Sequence, residues 1–290
     1  MTQTAFIHPE DAAALKALKA IPMLSLIVKK VMDIGAEQLQ AGLNMASKVR
    51  LSPTQLPRLY YILPLICERL EIKEPEFYLE MSPVPNAYAF GDTQTAITIT
   101  SALVDMMSED ELVGVVAHEC GHIACHHMLY HTLAQVIASA SGMFDALAKL
   151  AVPVHYALMY WQRKSELSCD RAAAYIVGPK STASMLARLA GGPKSITSEL
   201  NLEELAEQAD LYDAFCKNGL WNKTLQTYAV MDQDHPFTSV RVREMLKWTE
   251  SEEYSNLVGT DPVCDDSVCP NCHTPIDPSW KYCQHCGHKL

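Results

Sequence analysis

A surplus of positive charge is the first thing this 290-residue chain lacks: 23 Lys and Arg stand against 34 Asp and Glu, a formal net charge of −11. Non-specific nucleic-acid binding needs clustered Lys and Arg to displace counterions, so no nucleic-acid partner is expected. No secretory leader is expected either, because MTQTAFIHPEDAAALKALKA has no basic stretch followed by an apolar one. Internal repeats and low-complexity tracts are absent. No apolar run is long enough to cross a bilayer. The longest uncharged stretch near the middle, Met128 to Phe144, holds 17 residues and includes His131, Thr132 and Gln135, against the ~20 mainly apolar residues a span requires. A buried helical hairpin over Met128 to Trp161 is the expectation, with peripheral, interfacial membrane contact as the alternative. A disulfide framework is lacking as well. Five of the ten cysteines (Cys67, Cys120, Cys125, Cys169 and Cys216) are scattered, which fits reduced thiols in a cytoplasmic protein.

What is present is enough apolar material for a real core, 49% of the residues, at a length that suggests one large domain and one small one. The predicted fold is α+β and mostly helical. Residues 1–70 read as helices punctuated by Pro22, Gly35 and Gly42, with Pro64 able to kink the stretch Gln55 to Leu70. Glu76 to Met81 and Thr95 to Thr100 read as strands of a small sheet. Ser108 with Glu111 forms a capping-box signature opening the next helix. A later helix starts near Tyr160 and ends at Gly178-Pro179, and amphipathic helices follow to about Asn256. Residues 1–258 are thus expected to form one domain and residues 259–290 a second, small module.

The helix opened by Ser108 carries His118-Glu119-Cys120-Gly121-His122, the form HExxH. Residues i and i+4 lie ~40° apart around a helix, so both imidazoles project towards one point, and Glu119 is offset by about 100°. Two histidines so placed can hold a zinc ion. Zinc lowers the pKa of its bound water to ~7, and a carboxylate beside the open position takes the proton as the oxygen attacks a carbonyl. The bland alternative is two surface histidines, but the apolar run LVGVVA before them implies burial, and buried histidines need partners. His126, His127 and His131 follow, and His126 is expected at the surface or behind the ligands, since a catalytic zinc keeps a position open. The third ligand expected is Glu166, with Asp170 one turn on to accept the remaining ring N–H of a ligating histidine. Surface ion pairs with Arg163 or Arg171 are the plain alternative for both carboxylates.

HECGH, SELSCDRAA, the segment His235-Pro236-Phe237-Thr238-Ser239-Val240-Arg241 and the upstream Asn86-Ala87-Tyr88-Ala89-Phe90-Gly91 together resemble the HtpX and CaaX-prenyl-protease type of gluzincin zinc peptidase. The resemblance covers roughly residues 70 to 250, with four motifs in the family's order. It implies a gluzincin domain in which His118, His122 and Glu166 bind the catalytic zinc, Glu119 is general base and acid, and Asp170 supports a ligand. It further implies that His235 stabilises the oxyanion, with Arg241 supporting that region. Asn86, Ala87, Tyr88 and Ala89 would form a cleft edge on which a polypeptide substrate pairs as an added strand. Membrane members of that family have clear transmembrane helices. Their absence here points to soluble or unfolded polypeptide as substrate.

Cys269-Pro-Asn-Cys272, ten intervening residues, then Cys283-Gln-His-Cys286 form two knuckles of a zinc ribbon. Four thiolates make a closed tetrahedral site, so this second zinc is expected to be structural. Residues 259–290 carry two basic residues, Lys281 and Lys289, against four aspartates, which favours a protein partner over DNA. The resulting expectation is a zinc metalloendopeptidase with one catalytic and one structural zinc. A catalytically silent adaptor whose ribbon docks a protein partner is the alternative, and the intact Glu119 argues against it.

Overall fold

Pro9 at the first helical position, followed by the acidic Glu10 and Asp11, starts helix α1 (Pro9–Lys19) where the missing proline N–H costs nothing and negative charge suits the helix end. The computed structural model describes residues 3–22, 24–33, 35–139, 145–217, 219 and 237–259. A 3-10 turn at Gln3–Phe6 precedes α1, and α2 (Leu24–Asp33) and α3 (Ala36–Ser47) follow. Pro22 and Gly35 fall between these helices. Gly42 does not punctuate; it sits inside α3, where its Cβ position faces open space. The next helical stretch is divided at Tyr61 into α4 (Pro57–Tyr60) and α5 (Ile62–Arg69). Pro64 lies in the first turn of α5, where no intrahelical N–H bond is lost, so the break falls ahead of it.

Four strands form one mixed sheet in the order β1-β2-β4-β3: β1 (Val49–Arg50), β2 (Glu76–Glu80), β3 (Ala87–Phe90) and β4 (Ala96–Thr100). β2 and β4 run parallel, with Phe77 opposite Ile97, while β3 pairs antiparallel to β4, with Ala89 opposite Ile97. β4 is buried throughout, Ile97 and Ile99 on one face and Thr98 and Thr100 on the other. The segment Asn86 to Gly91 thus supplies the edge strand β3. Gly91 ends it at φ +89, and a Cβ there would stand 2.1 Å from the Gln94 carbonyl oxygen, so only glycine fits the turn.

After α6 (Ser101–Met106), the capping box forms as expected at the start of α7 (Glu109–Ala124). α8 (Met128–Ser139) and the first half of α9 (Asp145–Gly191) supply the two arms of the expected hairpin, and 140–144 lie outside the described residues. Leu133, Ala134, Val154, Leu158 and Trp161 of these arms pack with Ala14, Leu18, Leu24 and Ile27 of α1 and α2 into a buried core. No helix among the described residues is long and apolar enough to cross a membrane. α9 begins well before Tyr160 and leaves helical geometry at Gly178 (φ 80, ψ 164), where an end was expected, before resuming to Gly191. Short α10 (Lys194–Thr197), α11 (Leu202–Lys217), α12 (Thr238–Thr249) and α13 (Glu252–Gly259) complete the helices described.

Candidate metal centre and cleft

α7 and α9 approach closely because α7 offers glycine at two places on one face. A Cβ on Gly114 would meet Met185 Sδ at 3.1 Å and Val177 Cγ2 at 3.3 Å, and one on Gly121 would meet Ala172 Cβ at 3.0 Å and Cys169 Cα at 3.1 Å. The N-terminus of α7 is anchored to the same helix. Glu111 caps Ser108 through Oε2, while its Oε1 accepts bonds of 2.6 Å from both Ser184 Oγ and Arg188 Nε. Burial pushes the Glu111 carboxyl up, but those hydrogen bonds outweigh it and hold it below its ordinary range.

This packing sets Glu166 of α9 opposite the two histidines of α7. His118 Nε2 lies 3.2 Å from Glu166 Oε2 and His122 Nε2 lies 3.3 Å from Glu166 Oε1. All three side chains are buried. Ligand atoms held at 2.0–2.1 Å around a tetrahedral zinc are separated from one another by about 3.3–3.4 Å, and each imidazole stands about that far from one of the two Glu166 oxygens. The two imidazoles stand nearly perpendicular, at 84°, and both direct Nε2 at the carboxylate. Cys169 also offers a ligand atom within 4.8 Å of His118 and His122. Burial pushes its thiol well above the ordinary range.

Behind the histidines the two Nδ1 atoms have separate partners. His118 Nδ1 is 3.1 Å from Asp170 Oδ1. Arg241 of α12 holds that carboxylate in a bidentate grip at 2.8 and 2.7 Å and also stands 3.4 Å from Glu166 Oε2. The buried Arg241 therefore sits behind the carboxylates, and burial of Asp170, which would raise its carboxyl, is overcome by Arg241, which holds it low. For His118, burial favours the neutral ring, but Glu166 and Asp170 outweigh it and lift the pKa to about 10. Two carboxylates around one imidazole leave negative charge that a cation satisfies, a proton or a divalent metal. His122 Nδ1 lies 3.3 Å from His127 Nδ1. The exposed His126 takes a left-handed backbone (φ 57) just past the end of α7, so the i+4 series stops there.

Glu119 faces a cleft whose far wall is Asn86, Ala87, Tyr88 and Ala89 of the edge strand, with Gln162 and His131 at one side. The small side chains of Ala87 and Ala89 leave the strand approachable. Gln162 is buried, its Nε2 is 3.3 Å from His131 Nδ1, and its Oε1 has no hydrogen-bond partner among the described residues. His235 and the four ribbon cysteines Cys269, Cys272, Cys283 and Cys286 lie outside the described residues. The scattered cysteines Cys67, Cys120, Cys125, Cys169 and Cys216 are free thiols. Sequence reasoning did not single out Gly121, Gln162 or Asp11, a residue of α1 that reaches His127. Gly121 carried a visible signal, glycine between two ligand candidates of a helix, whereas nothing in the sequence near Asp11 distinguishes it from an ordinary acidic first-turn residue.

Comparison with known proteins gives the family. Residues 57–249 match the model of peptidase family M48, and residues 268–290 match that of a zinc-ribbon domain. The chain is 34% identical to the plastoglobule-localized metallopeptidase 48, chloroplastic, of Arabidopsis thaliana, over 87% of this chain and 74% of that protein. It is 27% identical to a protease HtpX homolog of Campylobacter concisus (65% of this chain, 73% of the relative). A protease HtpX homolog of Limosilactobacillus reuteri is 25% identical (88% and 83%). No solved structure matches the chain. The chain belongs to peptidase family M48 and is a metallopeptidase.

Proposed function

We propose that the chain is a zinc-dependent endopeptidase whose metal is held by His118, His122 and Glu166. The convergence of two Nε2 atoms on one buried carboxylate, at 3.2 and 3.3 Å, carries the reading. Zinc bound there would polarise the scissile carbonyl and acidify a water molecule. Glu119, lying in the cleft beside His122, takes the proton of the attacking water and returns it to the leaving amine. Asp170 accepts from His118 Nδ1–H, which keeps His118 Nε2 free for the metal, and Arg241 holds Asp170 and Glu166 in place. The oxyanion role of His235 is retained from the family resemblance. An extended polypeptide pairs with Asn86, Ala87, Tyr88 and Ala89 as an added strand, and the unpartnered Gln162 Oε1 accepts a substrate N–H.

In this reading residues 1–258 are the peptidase domain and residues 259–290 a ribbon closed on a second, structural zinc by Cys269, Cys272, Cys283 and Cys286, with a protein as its partner. The free thiols fit a reducing compartment such as the cytoplasm. The name of one relative places that protein at plastoglobules, and fractionation of cells expressing this chain decides between the two locations. Glu119→Gln tests the mechanism: it keeps both metals and loses cleavage of a casein-like substrate. Unchanged cleavage by that variant refutes the role of Glu119. A wild-type chain that cleaves nothing across a broad peptide library favours the silent-adaptor reading.

A further inference from the structure

On its Nδ1 side His118 reaches a carboxylate directly; on its Nδ1 side His122 reaches one through another imidazole. That carboxylate is Asp11 on α1, outside the 57–249 family match. Asp11 is 1% exposed, and both of its oxygens are taken. Trp161 Nε1 donates to Oδ1 at 2.9 Å, Ser168 Oγ donates to Oδ2 at 2.6 Å, and His127 Nε2 lies 2.9 Å from Oδ2.

Donor counting fixes the directions. An indole N–H can only donate. The Ser168 hydroxyl accepts from the His8 backbone N–H at 3.0 Å, which leaves its own proton for Asp11. Asp11 is thus an acceptor on every side, and the proton of the neutral His127 ring belongs on Nε2. His127 Nδ1 is then an acceptor, 3.3 Å from His122 Nδ1, with Cys169 Sγ, a weaker donor, at 3.7 Å. A proton on His122 Nδ1 satisfies that acceptor and leaves its Nε2 lone pair directed at Glu166. We infer that Asp11 and His127 are positioning residues that set the tautomer and ring orientation of His122, which makes the N-terminal helix a working part of the metal centre. The inference rests on the ligand set proposed above.

Asp11→Asn tests it with almost no change in shape. If the Asn carbonyl keeps the Trp161 bond, its amide N–H faces His127 and reverses the relay, so the proton moves to His122 Nε2 and blocks the ligand atom. The full-length chain is stripped and titrated with zinc alone and with cobalt alone at constant pH. Thiolate charge-transfer bands separate cobalt in the ribbon from cobalt at the histidines. Asp11→Asn is expected to weaken metal at the histidine site about 10- to 100-fold and to alter its cobalt spectrum. His127→Phe keeps the buried ring, leaves Asp11 bonded to Trp161 and Ser168, and gives the same loss should Asp11→Asn fail to fold. Glu10→Gln removes the ion pair of α1 to Lys164 without touching the relay, and leaves affinity and spectrum unchanged. A folded Asp11→Asn or His127→Phe with wild-type affinity and spectrum overturns the inference, as does a Glu10→Gln loss of equal size, which would mark the effect as loose docking of α1. Failure of the ligand assignment reads differently: His122→Ala would then show the wild-type cobalt spectrum.

Discussion

Replacing Gly121 by alanine adds one methyl group at the tightest point between α7 and α9. An ordinary helical Gly→Ala change stabilises by up to ~1 kcal/mol, so the sign of the effect is itself informative. Here the new carbon would stand 3.0 Å from Ala172 Cβ, 3.1 Å from Cys169 Cα and 3.3 Å from Cys169 Cβ. Carbon contacts settle at about 3.5–4.0 Å, so the helices must part by roughly 0.5–1 Å. The obstacles are a backbone atom and an alanine, neither of which can swing aside. Overpacking of this kind costs about 1–3 kcal/mol, which for a domain of this size lowers Tm by roughly 2–12 °C. The same movement carries Glu166 away from His118 and His122, whose spacings of 3.2 and 3.3 Å match a zinc shell, and a misplacement near 1 Å costs about 100-fold in catalysis. Thermal melts, zinc titration against a chelator and peptide hydrolysis are measured on one preparation. A Gly121→Ala protein with raised Tm and with zinc affinity and turnover within about twofold of wild type would refute the close-approach argument.

Glu111→Ala leaves the buried Arg188 charge without its partner and is expected to cost about 3–5 kcal/mol at neutral pH by chemical denaturation. Because the Glu111 carboxyl is held below its ordinary value of 4.5, its contribution is fully present above that pH and fades as pH falls through the lower folded value. The gap between variant and wild type should therefore close in acid, and a gap constant to low pH contradicts the assignment. With the ribbon already loaded, zinc filling the histidine site at pH 7 should release about one proton, since the metal-free His118, lifted to about 10 by Glu166 and Asp170, still carries its proton there. Calorimetry in buffers of different ionisation heat measures it. Gln162→Leu should fill the same volume without the unpartnered acceptor; KM for peptides is expected to rise several-fold with little change in kcat, as for loss of a binding contact made equally in ground and transition states.

The helical pattern, the capping box and the strands around Phe77 and Ile97 were legible because each is a local matter of periodicity, capping and β-branching. That His118 and His122 share one face, and Glu166 and Asp170 another, was legible for a related reason: i,i+4 spacing within a helix fixes it. That the two faces meet is a long-range matter, which only the family resemblance pointed to. Gly42 misled, since glycine is a poor helix former but is tolerated inside α3 where its neighbours carry the packing. Pro64 misled by position, because its effect depends on whether it lies in a first turn. The Asp11–His127 contact was not legible at all. It spans 116 residues and exists only once α1 has docked on α9, and no local rule encodes such docking.

The break at Gly178 divides α9 into two rods, and α7 lies across the join. Gly121 meets the first rod at Cys169 and Ala172, Gly114 reaches Val177 and Met185 on either side of the break, and Glu111 is tied to Ser184 and Arg188 on the second. The motif helix thus splints the very discontinuity that, left alone, would let the rod bearing Glu166 and Asp170 pivot. Bending at Gly178 would have to tear the Glu111 anchor and the two glycine seats together. The helix that carries His118 and His122 is thus also the brace that holds the two rods of α9 in line.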